Sequence, residues 1–127
     1  MEISTHKTID RELCGRPREL AAGYSKVELT TTDRMAADDR GLVHGGFVFG
    51  LADYAAMLAV NDPHVVLGGA AVTFTRPVRV GETLTAEAAV ESVEKKKHVV
   101  TVAVRRGEAE VFQGRFTCFV PARHVLD

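Results

Sequence analysis

The stretch Val43-His44-Gly45-Gly46-Phe47-Val48-Phe49-Gly50-Leu51-Ala52-Asp53-Tyr54-Ala55-Ala56-Met57-Leu58-Ala59-Val60 decides how the rest of the chain is read. From Phe47 to Val60 it is apolar almost all round, and a helix without a polar face belongs in the middle of a structure with protein on every side. The paired glycines ahead of it suit a close backbone turn and a helix start. Asn61-Asp62-Pro63 ends it, because proline cannot continue a helix and disfavours helical backbone in the residue before it. Within this run stands one carboxylate, Asp53. Burying an unpaired ionised carboxylate costs on the order of several kcal/mol, comparable with the whole stability of a small domain, so Asp53 needs a partner or a purpose.

Outward from this helix, the pattern changes to strands. Tyr24 to Thr32 alternates and is rich in β-branched residues, which predicts a half-buried strand. The polar segment Thr32 to Gly41 reads as a loop. The first 20 or so residues, charged and carrying Gly15 and Pro17, read as a surface arm with at most a short helix. On the other side, Val65 to Phe74, Thr83 to Val93, His98 to Arg105 and Ala109 to Val120 read as strands joined by short turns. In the third of these Val100, Val102 and Val104 share one face; in the fourth Phe112, Phe116 and Val120 share a parity, and one such face is expected to cover the helix. The expected architecture over residues 1–127 is one α+β domain, an antiparallel sheet wrapped around a single buried helix. The edges of so small a sheet would be exposed, and pairing into a dimer is a natural way to cover them.

Composition narrows the function. At 127 residues the chain can bury a core without disulfide or metal staples. Sixteen basic against 17 acidic residues give no global field to recruit nucleic acid or an anionic membrane. The two cysteines, Cys14 and Cys118, have no neighbours at metal-ligand spacing and suggest neither a zinc site nor a disulfide framework, which fits a reduced cytoplasmic protein. The N-terminal residues lack an apolar signal core, and the longest apolar run is too short to span a bilayer.

The chain resembles the hotdog-fold acyl-CoA thioesterases, in particular their phenylacetate-pathway-like branch. The resemblance rests on His44-Gly45-Gly46, on Leu51-Ala52-Asp53 with Asp53 nine residues after His44, and on Phe74-Thr75-Arg76-Pro77-Val78-Arg79-Val80-Gly81-Glu82; it spans roughly Tyr24 to Val120. It implies hydrolysis of an acyl-CoA thioester with no cofactor beyond the coenzyme A of the substrate. Gly45 would offer its backbone N–H to the thioester carbonyl at the start of the helix, where unsatisfied N–H groups favour developing negative charge. Asp53 would project from the partner subunit of a homodimer or homotetramer as general base or nucleophile. Asp38 stands where relatives often carry an asparagine that holds the attacking water. A second carboxylate beside Asp53 would raise the pKa of one of the two, either sharpening base catalysis or opposing the water-activating charge. No hydroxyl stands at Val66-Leu67-Gly68, where some relatives place serine or threonine.

Plainer roles compete for the same residues. Asp53 could be a structural group bonded to backbone, His44 a loop-fixing residue more than a base, and Gly45 and Gly46 mere turn glycines. Glu94-Lys95-Lys96-Lys97-His98 reads first as a solvated hairpin turn. In a thioesterase Lys97, like Arg76 and Arg79, could instead sit near the phosphates of coenzyme A, with Gly46 also against the substrate. Phe47, Phe49, Tyr54 and Met57 serve packing, or line an acyl pocket. A second function is in view, because Ala71 to Val120, with Phe74-Thr75-Arg76 and Val111-Phe112-Gln113-Gly114-Arg115-Phe116, also resembles the acyl-CoA-sensing hotdog domain of bacterial fatty-acid synthesis regulators. Those carry a DNA-binding helix-turn-helix that the residues before Tyr24 are too few to form. A hotdog dehydratase or hydratase ranks last, since His44 and Asp53 do not match its histidine–acid spacing.

Overall fold

The apolar run folds as a helix and the C-terminal half as strands. A computed structural model describes residues 1–127. In chain order the elements are α1 (Arg11–Cys14), β1 (Arg16–Ala21), β2 (Tyr24–Thr30), α2 (Gly45–Val60), β3 (Val66–Phe74), β4 (Thr83–Glu94), β5 (Lys97–Arg106) and β6 (Ala109–Phe119). The six strands form one sheet in the order β1-β2-β4-β5-β6-β3, every neighbouring pair antiparallel. The sheet curls round α2, which packs mainly on β2, β4 and β5. This is the hotdog fold.

The two-residue period of the strands explains the packing. Val27 and Leu29, Leu84 to Ala88 on alternate positions, and Val100, Val102 and Val104 turn one row each toward α2 and are buried there. Four alanines of the helix, Ala52, Ala55, Ala56 and Ala59, are buried and let the sheet approach closely. Phe112 and Phe116 complete the face as expected and are fully buried, each side chain worth roughly 1.5–3 kcal/mol of burial. Val120 lies just past the end of β6 and is half-buried. The buried hydroxyl of Ser25 donates to the Ala55 carbonyl at 2.6 Å, which ties β2 to the middle of the helix.

Three expectations change. Residues 16–21 are not an arm but a sixth strand, β1, held to β2 in a register with a bulge between Pro17 and Glu19. Ion pairs Arg18–Glu28 at 2.9 Å and Lys26–Glu19 at 3.1 Å cross that pair, so the charges that read as loop are a solvated outer edge. The preceding residues are pinned as well: Asn61 ends α2 in the left-handed conformation (φ 54°), its side chain accepting from the Ser4 N–H and donating to the Glu2 carbonyl, both at 2.8 Å. The 32–41 loop contains a turn of 3-10 helix at Asp33–Met35 whose Met35 is fully buried.

The third change concerns α2 itself. It starts at Gly45, two residues before the apolar run, and it is not covered all round. Gly46, Phe49, Gly50 and Asp53 fall at helical spacing and stay exposed or half-buried in the single chain, and a β-carbon added at Gly50 would meet nothing within 4 Å. Beside this open stripe lies β3, one of the two edge strands, paired on one side only and exposed from Gly68 to Ala71. No helix is long and apolar enough to cross a membrane.

Candidate active site

Asp53 lies on the part of α2 that faces β6. One turn earlier, Phe49 packs against Phe116 (ring centroids 5.4 Å) and Phe112 (6.4 Å), and Asp53 continues that row toward Cys118. The Cys118 thiol is pushed up to about 12, by burial first and then by the Asp53 charge. Asp53 Oδ1 is buried and accepts no hydrogen bond in the chain, and burial pushes the carboxyl up from 3.8 to about 6. Asp53 therefore has no structural partner within its own chain to account for it.

Gly45 is the first residue of α2, so the helix itself supplies no acceptor for its N–H. His44 precedes it in extended conformation (φ −62°, ψ 131°) and makes no side-chain capping bond. Its exposed ring folds back over Gly46, where an added β-carbon would come within 3.0 Å of Cδ2 and Nε2, and it meets Phe47 edge-on at 6.2 Å. His44 packs on the first turn; no carboxylate engages it. Beside Gly45 opens a cavity of about 300 Å³ walled by Val43, Val48, Phe74, Pro77, Val78 and Val111, with Arg76 on its lining.

The remaining expected residues divide. Arg76 donates from Nη1 to the Glu110 carbonyl at 2.5 Å, at the edge of the Gly45 cavity. Arg79 lines a neighbouring cavity of about 540 Å³ that shares Pro77 and Val78 with the first. Asp38 lines that second cavity too, and its Oδ1 accepts from the backbone N–H groups of Arg40 (2.9 Å) and Leu42 (3.1 Å). Within one chain it serves its own loop and contributes nothing to the raised Asp53 carboxyl, which burial alone accounts for. Within one chain Lys97 does not stand with the other cations. It stands opposite Phe119, whereas the Gly45 cavity lies at the Phe112 end of β6, roughly 23 Å away along the strand. The lysine run forms the β4–β5 turn, with Lys95 left-handed at φ 56°.

Sequence reasoning passed over three site features. Phe74 crosses Gly45, Cys118 lies by Asp53, and Arg40 and Arg106 join Arg79 round its cavity. Only Phe74 carried a signal, as the first residue of the Phe74-Thr75-Arg76 motif at the end of a strand.

One separation organises the site. Gly45 and Asp53 are eight residues apart on one straight helix, about 12 Å along its axis. A carbonyl bound at one Gly45 N–H is out of reach of the same chain's Asp53.

Residues 40–112 match the thioesterase superfamily, and the chain belongs to that superfamily. It is similar to the protein PH1136 of Pyrococcus horikoshii, 54% identical over 100% of this chain and 98% of that one, with a TM-score of 0.99. It is also similar to the E. coli PaaI protein from the phenylacetic acid degradation operon, 28% identical over 81% of this chain and 80% of that one, with a TM-score of 0.75, which bears out the resemblance to the phenylacetate-like branch. Among curated proteins, it is 52% identical to a methylthioribose-1-phosphate isomerase of Aquifex aeolicus, over 91% of this chain and 25% of that protein. With the transcription factor FapR of Caldanaerobacter subterraneus it shares 28% identity over 83% of this chain and 53% of that protein. The chain spans a quarter to about half of the length of these curated relatives.

Proposed function

We propose that the protein is an acyl-CoA thioesterase whose active site is completed by a second copy of the chain. The observation that carries this reading is the buried, unpartnered Asp53 oxygen on an uncovered helix stripe, about 12 Å from the Gly45 N–H of its own chain. Antiparallel pairing of two β3 strands would cover the open edge and bring the Asp53 of one helix toward the Gly45 of the other. The superfamily membership and the likeness to PaaI support the reaction class.

The reaction follows from the groups. The thioester carbonyl accepts the Gly45 N–H, which lowers the cost of negative charge on its oxygen. Asp53 takes a proton from water as the water oxygen bonds to the carbonyl carbon; the tetrahedral intermediate collapses, the C–S bond breaks, and the thiolate of coenzyme A leaves and takes a proton. A carboxylate near 6 is ionised at neutral pH yet more basic than a solvated one, which suits a general base. The alternative, direct attack by the carboxylate, is separated by single turnover in 18O water. Label in the product acid supports the base; label in Asp53 supports the nucleophile.

The test is thiol release from short, medium, long and aromatic acyl-CoAs by wild type and Asp53→Asn. The substitution is expected to lower kcat by about 10² or more, and an unchanged rate overturns the assignment. The FapR relatives favour a second reading, a domain that binds acyl-CoA without hydrolysing it. Calorimetry showing binding of intact ligand, with no thiol release, would select it.

A further inference from the structure

The cavity of about 300 Å³ beside Gly45 has one wall unlike the others. Val43, Val48, Val78 and Val111 are buried valines, whose branched side chains are stiff at χ1. Phe74 is the exception. It ends β3, its ring is half exposed in the single chain, and its unbranched β-carbon leaves the ring free to change rotamer. The main chain around it is fixed. Phe74 pairs with Phe112 across the sheet, and just beyond it the Thr75 and Arg76 N–H groups both donate to the Val111 carbonyl, at 2.9 and 3.4 Å. The Thr75 hydroxyl donates to the Glu110 carbonyl at 2.9 Å. Movement of this wall is therefore rotation of the ring and not of the strand. The ring and Gly45 also fit one another: three ring atoms lie within 3.7 Å of the place a β-carbon on Gly45 would take. Gly45 is helical and is not among the residues with positive φ, so it is the ring, not the backbone, that requires glycine there.

We propose that Phe74 determines the acyl length the site accepts: its ring is the end wall of an acyl cavity sized for short to medium aliphatic chains, and it excludes long ones. The inference rests on the thioesterase reading, which puts the thioester carbonyl at the Gly45 N–H. From that carbonyl the acyl group is the apolar branch, while the sulfur leads to the polar carrier, so a cavity walled by four valines and a phenylalanine takes the acyl group. At roughly 30 Å³ for each water-sized group, a volume of about 300 Å³ holds no more than about ten of them. That is room for the thioester and an acyl chain of about six to eight carbons. A longer chain reaches the Phe74 ring and has to turn it out of its edge-on packing against Phe112, 5.0 Å between centroids.

The experiment measures kcat and KM of the intact protein on hexanoyl-CoA and dodecanoyl-CoA for wild type, Phe74→Leu and Phe74→Ala, with a thermal melt of each. Wild type is expected to favour hexanoyl-CoA. The ratio of kcat/KM for dodecanoyl-CoA over hexanoyl-CoA should rise about tenfold or more in Phe74→Ala and by less in Phe74→Leu, which keeps a side chain against Phe112. Should the alanine variant not fold, a rise in the leucine variant alone supports the inference and its absence overturns it. A ring with a purely structural role would lower both substrates together and leave the ratio where it was. That result, or a wild type that prefers dodecanoyl-CoA, overturns the inference while the hydrolase reading stands. If no acyl-CoA releases thiol, the hydrolase reading fails, and calorimetry with the same two acyl-CoAs decides the inference: a preference for the shorter chain that weakens from wild type to leucine to alanine supports it, and affinities independent of chain length overturn it.

Discussion

Phe74 lies across Gly45: the nearest atom of its ring stands 3.2 Å from the place a β-carbon on Gly45 would take. The ring is held edge-on to the buried Phe112 at 5.0 Å, yet half of it remains exposed at the end of β3. It therefore shields the helix start from solvent while remaining able to give by a few tenths of an ångström.

Gly45→Pro isolates the proposed N–H. Proline is tolerated at the first helical position and removes only that donor, and His44 already has the extended backbone that a following proline demands. The variant should melt within a few degrees of wild type and lose about 10² or more in kcat. Gly45→Ala keeps the N–H, displaces the Phe74 ring slightly and should retain more activity than the proline variant. Equal activities of the two would remove the N–H from the mechanism.

The Asp53 carboxyl titrates near 6 when folded against 3.8 as its ordinary value. The native state thus holds a proton that the unfolded chain releases, and the stability associated with it, full below about pH 3.8, is lost as pH rises through about 6. Asp53→Asn does not titrate. Relative to wild type it should gain on the order of 1–2 kcal/mol between about pH 4 and pH 8, after screening at this partly exposed site is allowed for. Denaturant melts at the two pH values check this, and the wild-type rate should rise through the same interval if Asp53 is the base.

Two inactive variants should rescue each other. A mixed dimer of Gly45→Pro and Asp53→Asn chains carries one site with both lesions and one with neither, so random mixing should restore roughly a quarter of wild-type activity. No recovery on co-expression would place both groups in one chain's site. Ala70→Lys, near the middle of the open edge of β3, should give a monomer by light scattering and abolish hydrolysis with it.

Gly114 offers a structural test of the same edge. A β-carbon there would stand 2.6 Å from Val72 Cγ1 and 3.0 Å from the Ala71 carbonyl oxygen, so β6 and β3 would be forced apart. Gly114→Ala should cost about 1–3 kcal/mol by overpacking, more than Gly45→Ala, and should weaken self-association because β3 carries the open edge. Thermal melts and sedimentation on the same samples measure both.

What could be read from residue order follows the physics of each signal. The buried helix and β2 to β6 were legible because hydrophobic period and turn residues act locally; their ends moved by a residue or two. β1 was not, since Pro17, the bulge and the charged residues of an outer strand look like loop until β2 lies alongside. Asp53 stood out by its cost of burial, whereas Gly45 was singled out by the family resemblance, the residues alone giving only a glycine pair suited to a helix start. Arg40 and Arg106 were hidden because 66 positions separate them and only the fold brings them to one cavity. Lys97 stands at the far end of its own sheet from the Gly45 cavity, and a run of charge says nothing of which end of a sheet it occupies.

The two margins of the sheet are unlike. β1 carries Pro17 and ion-paired charges, while β3 presents glycine and alanine with a free row of backbone groups. A chain with two open margins could add copies end to end without limit, as fibrils do. With one margin guarded, edge pairing joins two chains and then has nowhere to continue, so the same strand that invites a partner also terminates the polymer.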